Sequence, residues 1–156
     1  MRRRAVLLAI CLAGCGVRSE VVAPDPPDPI AEDILVGVNT LRVMEGVGRL
    51  AADPALTAAA AAHAATMAAA GELSHELGSR PAGRAAAAGY DYSRIGENIA
   101  VTTSVGLDVG RELVALWRGS PGHARNMLDG AFRETGIGVV SARGQIWAVQ
   151  LFGSRR

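Results

Sequence analysis

Apolar residues recur along this chain with two different periods. Ile30, Ile34, Val38 and Leu41 follow helical spacing while Asn39 and Arg42 fall off that stripe, which predicts a first amphipathic helix over residues 30–45, ended by Gly46 and Gly48. Asp53-Pro54 reads as an N-cap followed by a first-turn proline, opening a helix that runs to Gly71 with Leu56, Ala60, His63 and Met67 on one side. Pro81 and Gly89 bracket a shorter helix over residues 81–88. Val109, Leu113, Leu116 and Trp117 form the stripe of a fourth. Ser120-Pro121 then breaks the chain and starts a short helical turn through Leu128, with Ser120 as an N-cap whose hydroxyl is taken by a backbone N–H.

Beyond residue 135 the period falls to two. Residues 136–141 and 145–152 are short apolar runs separated by Ala142-Arg143-Gly144, the pattern of a β-hairpin, and Ile99-Ala100-Val101 supplies a third strand. Both faces of the second run are apolar, Trp147, Val149 and Leu151 on one and Ile146, Ala148 and Phe152 on the other. That sheet must be covered on both sides. Helices before, between and beneath a small central antiparallel sheet predict an α+β domain built as a three-layer α-β-α sandwich.

Composition narrows this further. The 156 residues suit one domain, and 29 alanines against six aromatic residues predict a small, tightly packed core. All 16 basic residues are Arg, which reflects a GC-rich coding sequence more simply than a need for guanidinium groups. A formal charge of +1, with no basic run after the first four residues, lacks the electrostatic footprint of a nucleic-acid binder.

The N-terminus carries an address. Residues 1–14 combine three arginines with a short apolar stretch from Ala5, the layout of a secretory signal, and Leu12-Ala13-Gly14-Cys15 resembles the bacterial lipobox. The expected organisation is a lipoprotein signal peptide over 1–14, lipidated Cys15 with a proline-rich tether over 15–29, and the folded domain over 30–156. The apolar stretch falls short of the roughly 20 residues that span a bilayer. Cleavage would leave 13 Arg against 15 acidic residues, a formal −2, and Cys15 as the single cysteine, so no intramolecular disulfide is expected.

Chemistry has few carriers. Of three histidines, His63 sits mid-stripe in the alanine-rich helix and reads as a buried, hydrogen-bonded residue, whereas His75 and His123 fall at loop-like positions where functional groups concentrate. Asn98 and Asn126 suit the pinning of loop backbone. Trp117 and Trp147 read as core, while Tyr90 and Tyr92 are candidates to line a groove. Ser120, His123 and Glu97 contain the residue types of a nucleophilic triad, but an N-capping serine has its hydroxyl engaged.

Ser74-His75, Gly96-Glu97-Asn98-Ile99-Ala100, Trp117 with Ser120-Pro121-Gly122-His123 and Asn126-Met127-Leu128, Gly136-Ile137-Gly138-Val139, and Trp147 through Gly153 resemble, in this order, the CAP superfamily of cysteine-rich secretory, antigen 5 and pathogenesis-related proteins. The SPGH form is similar to its bacterial, disulfide-free branch. The resemblance implies a surface cleft in which His75, Glu97 and His123 converge, with Asn98, Ser120 and Asn126 in support. Ser120 stands where many eukaryotic members carry a second cleft glutamate. Two neutral imidazoles and a carboxylate are also a competent donor set for Zn²⁺. The leading reading is a non-enzymatic binding module, exported and lipid-anchored to the membrane of a bacterial cell envelope, taking a small or lipidic ligand or another envelope component. A metal-assisted hydrolase of envelope peptide, glycan or ester bonds and a purely structural envelope protein stay open beside it.

Overall fold

A computed structural model describes residues 28–156; the signal peptide, Cys15 and the tether as far as residue 27 lie outside the described residues. Asp28 accepts the N–H groups of Ile30 at 2.8 Å and Ala31 at 3.2 Å, which with Pro29 in the first turn starts α1 (Pro29–Met44). Strand β1 (Ala51–Ala52) leads to Asp53, whose carboxylate caps α2 (Pro54–Ala70) through Ala55 and Leu56. Gly71, with φ of 68°, ends it. Helix α3 (Pro81–Ala87), strand β2 (Tyr92–Thr102), helices α4 (Val109–Arg118) and α5 (Pro121–Leu128), and strands β3 (Glu134–Ala142) and β4 (Gln145–Arg155) complete the order.

The sheet runs β1-β3-β4-β2. Helices α1, α4 and α5 cover one face around Trp117, Phe132 and Phe152, and α2 and α3 cover the other around Leu56, Met67 and Trp147. This is the three-layer α+β sandwich expected from the patterning. Each fully buried large aliphatic or aromatic side chain in these layers contributes about 1.5–3 kcal/mol. The hairpin turns on two residues, Arg143 and Gly144, both left-handed at φ of 53° and 73°, so Ala142 pairs with Gln145 rather than joining the loop.

The alanine run has a packing reason. A Cβ added at Gly136 would fall on the backbone of Leu56 and Thr57, and one at Gly138 on that of Ala60 and Ala61. Helix α2 therefore lies directly on β3, a spacing that only small residues on both sides permit.

Several expectations are corrected. The sheet is not wholly antiparallel, because β1 pairs parallel with β3 through Ala51 and Ala52; two residues carry no period to read. Strand β2 is eleven residues long, since pairing with β4 extends it well beyond the apolar triplet at 99–101. Asn39 and Arg42 belong to the buried side of α1, at 7% and 0% exposure. Asn39 exchanges two hydrogen bonds with the backbone of Leu50, at 3.0 and 2.8 Å. Leu116 is exposed, and Val114 takes its place in the core because Gly37 of α1 brings the helices close enough to receive it. Tyr90 and Tyr92 do line a shallow cavity of about 400 Å³ with Asp91 and Arg156, but Tyr90 is itself largely buried and its hydroxyl donates to Glu134 at 2.6 Å.

Candidate functional site

Strand β2 sits at the edge of the sheet, and alternation sends successive side chains to opposite faces. Glu97 turns toward the α2–α3 layer and meets His75 and Arg84; Asn98 turns toward α5. His75, from the segment between α2 and α3, and His123, from α5, approach each other across that edge with ring centroids 6.5 Å apart. The structure thus brings together three side chains from separate parts of the chain.

Glu97 organises the arrangement. Its side chain is 1% exposed, one carboxylate oxygen receives a bond from His75 Nδ1 at 2.8 Å, and the other is held by the Arg84 guanidinium. A buried carboxylate beside a guanidinium accepts and does not donate, so His75 carries its proton on Nδ1 and its Nε2 points away from the carboxylate. The His75 side chain remains 46% exposed. Burial, and then the neighbouring His75, push the His123 imidazole below the ordinary histidine value of 6.5, which keeps that ring neutral at pH 7.

Bonds to backbone lock the 74–79 loop and the start of α5 around this core. Arg84 Nη1 donates to the carbonyls of His75, at 3.2 Å, and Ser79, folding the 75–79 segment over the guanidinium. His63, buried as expected, is bonded through Nε2 to the Ser74 carbonyl at 2.9 Å and holds the start of that segment. Asn98 donates to the His123 carbonyl at 3.2 Å, and Asn126 donates to Glu97 O and Asn98 Oδ1, both at 3.0 Å, so the two amides tie the first turns of α5, where His123 sits in helix rather than loop, to strand β2 instead of pinning loop backbone. Gly96 precedes this pair because a Cβ there would press on the Phe132 ring at 2.8 Å.

Ser120 departs from its expected role. It stands at the N-cap of α5, but its hydroxyl makes no capping bond, and the turn closes through its carbonyl, which accepts from Ala124 N at 2.8 Å. Arg84 is the participant that sequence reading missed. The signal was present: it is the single charged residue in a seven-residue helix otherwise made of proline, alanine and glycine.

Both Glu97 oxygens are engaged by His75 and Arg84, which leaves two imidazoles, and among the described residues no group of three His, Cys, Asp or Glu side chains is placed to hold a metal ion. Catalytic zinc sites use three protein ligands and structural ones four. Two imidazoles alone do not fit such a centre.

A Bacillus subtilis protein, YkwD, described as uncharacterized, is 38% identical over 65 residues, a match covering 42% of this chain and 23% of that relative. An extracellular SCP-domain protein of Bacillus anthracis superposes with a TM-score of 0.72 at 24% identity, over 81% of this chain and 40% of the other. An outer surface protein of Borrelia burgdorferi superposes at 0.70 with 23% identity, over 80% and 94%. The chain therefore spans less than half the length of the two Bacillus proteins. The family model for cysteine-rich secretory proteins matches residues 36–152, from the first helix to the last strand and across the whole His75–Glu97–His123 edge, and the chain belongs to that CAP family.

Proposed function

We propose that this protein is an exported bacterial lipoprotein whose CAP domain is a binding module of the cell envelope, anchored through Cys15 and using the His75, Glu97 and His123 edge to hold a small polar or amphiphilic ligand. The observation that carries this reading is the contrast within one hydrogen bond: a carboxylate 1% exposed supports an imidazole 46% exposed. Burying a charge is costly unless it is paired. Here the pairing orients one ring toward solvent, beside the neutral ring of His123. The His123 ring offers an acceptor nitrogen to a hydroxyl or amide donor of a ligand and the outward nitrogen of His75 a second polar contact, with the Glu97–Arg84 pair fixing the direction of approach.

The extracellular protein and the outer surface protein to which the fold is similar support display outside the cytoplasm. Among the described residues no helix is long and apolar enough to cross a membrane. Cys15→Ser should move the protein from the membrane fraction to the soluble fraction without changing its melting temperature. Recovery of the variant in the membrane pellet at the wild-type share would refute the anchor.

Ligand binding is tested separately. Native mass spectrometry of the detergent-extracted protein should find a retained envelope molecule that is lost in the His75→Ala/His123→Ala double variant. Identical spectra for wild type and variant, with both folded, would overturn the binding-module reading.

A further inference from the structure

The two most exposed of the large hydrophobic side chains among the described residues, Leu107 at 93% and Val105 at 89%, lie together in the loop between β2 and α4. Exposed aliphatic residues scattered singly need no explanation; two at one tip do. Thr102 pairs with Ile146, so this loop leaves the sheet beside the β3–β4 hairpin, and Ser104, Val105 and Arg143 line one shallow cavity there of about 270 Å³. Arg143 at the hairpin turn makes no ion pair among the described residues.

The start of α1 shares this end of the domain. A Cβ at Gly110, just after the loop, would strike Asp33 and the carbonyl of Ile30, so the first turns of α1 and α4 lie against each other. Asp28 is 13 residues from Cys15, a separation that covalent geometry limits to about 45 Å. The end of the domain that carries the apolar loop is therefore the end from which the chain continues to the proposed anchor.

We infer that Val105, Leu107 and Arg143 form a membrane-docking tip: the two aliphatic side chains enter the interface of the bilayer that holds the anchor, and the guanidinium meets lipid phosphate. Proximity to that bilayer rests on the proposed lipidation of Cys15; the composition of the tip does not. Asp28, Glu32 and Asp33 at the start of α1 make a strongly anionic surface the poorer match, and Asp108 beside the loop is already paired with Arg111. The occupant is therefore a zwitterionic phospholipid surface. Docking holds the long axis of the sheet away from the membrane, with the opposite end, where Tyr92 pairs with Arg155, roughly 33 Å distant.

The test places a fluorophore at each end of the full lipidated chain reconstituted in phosphatidylcholine vesicles. Leu107→Trp should shift to the blue and be quenched by dibrominated phosphatidylcholine at least roughly threefold more than Asp91→Trp at the far end, while buried Trp117 and Trp147 give a common background. Equal quenching at the two ends of an anchored protein overturns the proposal, as does a blue shift of Leu107→Trp that needs protein concentration and no vesicles, which would make the tip a contact between copies. A second arm separates docking from anchoring: the Cys15→Ser chain should float weakly with vesicles, and Val105→Asp/Leu107→Asp should cut that fraction by roughly tenfold. No difference between those two chains overturns the docking tip even if the anchor stands, whereas loss of flotation specific to Val105→Asp/Leu107→Asp supports it even if the anchor fails.

Discussion

Two arginines, one fully buried and one only partly so, serve opposite ends of this molecule's chemistry. Arg42 is fully buried and spends its guanidinium on backbone carbonyls alone: Gly48 at 2.7 Å, Met127 at 2.7 Å, Asp129 at 3.1 Å and Phe132 at 3.1 Å. It closes the turn after α1 and the segment between α5 and β3 onto one point. Arg84 also gathers carbonyls, but its remaining arm goes to Glu97, and through Glu97 to the half-exposed ring of His75. Its Nε, like Nδ1 of His63 nearby in the sequence of contacts, is buried without a partner. A cation satisfied only by backbone holds the fold together and is sealed from solvent. One that ends on a carboxylate–imidazole pair conveys its position to a group that a ligand can reach.

The comparison is broken most directly at Arg42. Arg42→Ala leaves buried carbonyls without a donor and should lower unfolding free energy by about 3–5 kcal/mol in urea titration, while a surviving folded fraction keeps the His75–His123 geometry. A loss under 1 kcal/mol would show that the hub is dispensable.

Arg84→Ala strands the Glu97 carboxylate and should cost about 2–4 kcal/mol, with disorder of the 75–79 segment visible as increased amide exchange. The double variant Arg84→Ala/Glu97→Gln should recover part of that loss, because a neutral amide costs less to bury than an unpaired charge. Strict additivity of the two substitutions would deny that Arg84 acts through Glu97.

Acid acts on the site's side of the molecule through its histidines. Burial, with Arg84 next, pushes His63 below 6.5, and burial with His75 does the same to His123. Between the folded-state values and 6.5 the unfolded chain binds protons that the folded chain refuses. Stability therefore rises with pH across that window and is lost as pH falls below about 6.5. Asp53 adds a later loss: burial would raise its pKa, but the Leu56 and Ala55 N–H groups and Arg155 outweigh it and hold the carboxyl below 3.8. Melting temperature should fall from pH 7.5 to pH 5.5, and His63→Gln should flatten that slope. An unchanged slope in the variant would place the proton uptake elsewhere.

The smallest effect belongs to His75. Half-exposed and bonded through one nitrogen, it should cost under about 1 kcal/mol on replacement by alanine, although Glu97 then loses one partner. A much larger loss would make the ring a structural element and weaken its candidacy as a contact for ligand.

What the sequence itself determined is local. Proline after Asp28, Asp53 or Ser120, glycine at the end of α2 and the Arg143-Gly144 turn are decided within a few residues, because caps and left-handed turns depend on neighbours in the chain. The apolar run of β4, with large side chains on both faces, declared a sheet covered on both sides for the same reason. Motif order named the family and the residues His75, Glu97 and His123. Even Arg42 had a local signal, falling four residues after Val38 and eight after Ile34 on the buried side of α1. Its charge spoke against burial, and only the carbonyls gathered from residues 48, 127, 129 and 132 made burial affordable. Tertiary structure alone decided that Arg84 would hold Glu97, that β1 would pair in parallel with β3, and that two histidines 48 residues apart would meet across the edge of β2. Those outcomes depend on distances between segments, and a chain carries no record of such distances until its helices have packed on the sheet.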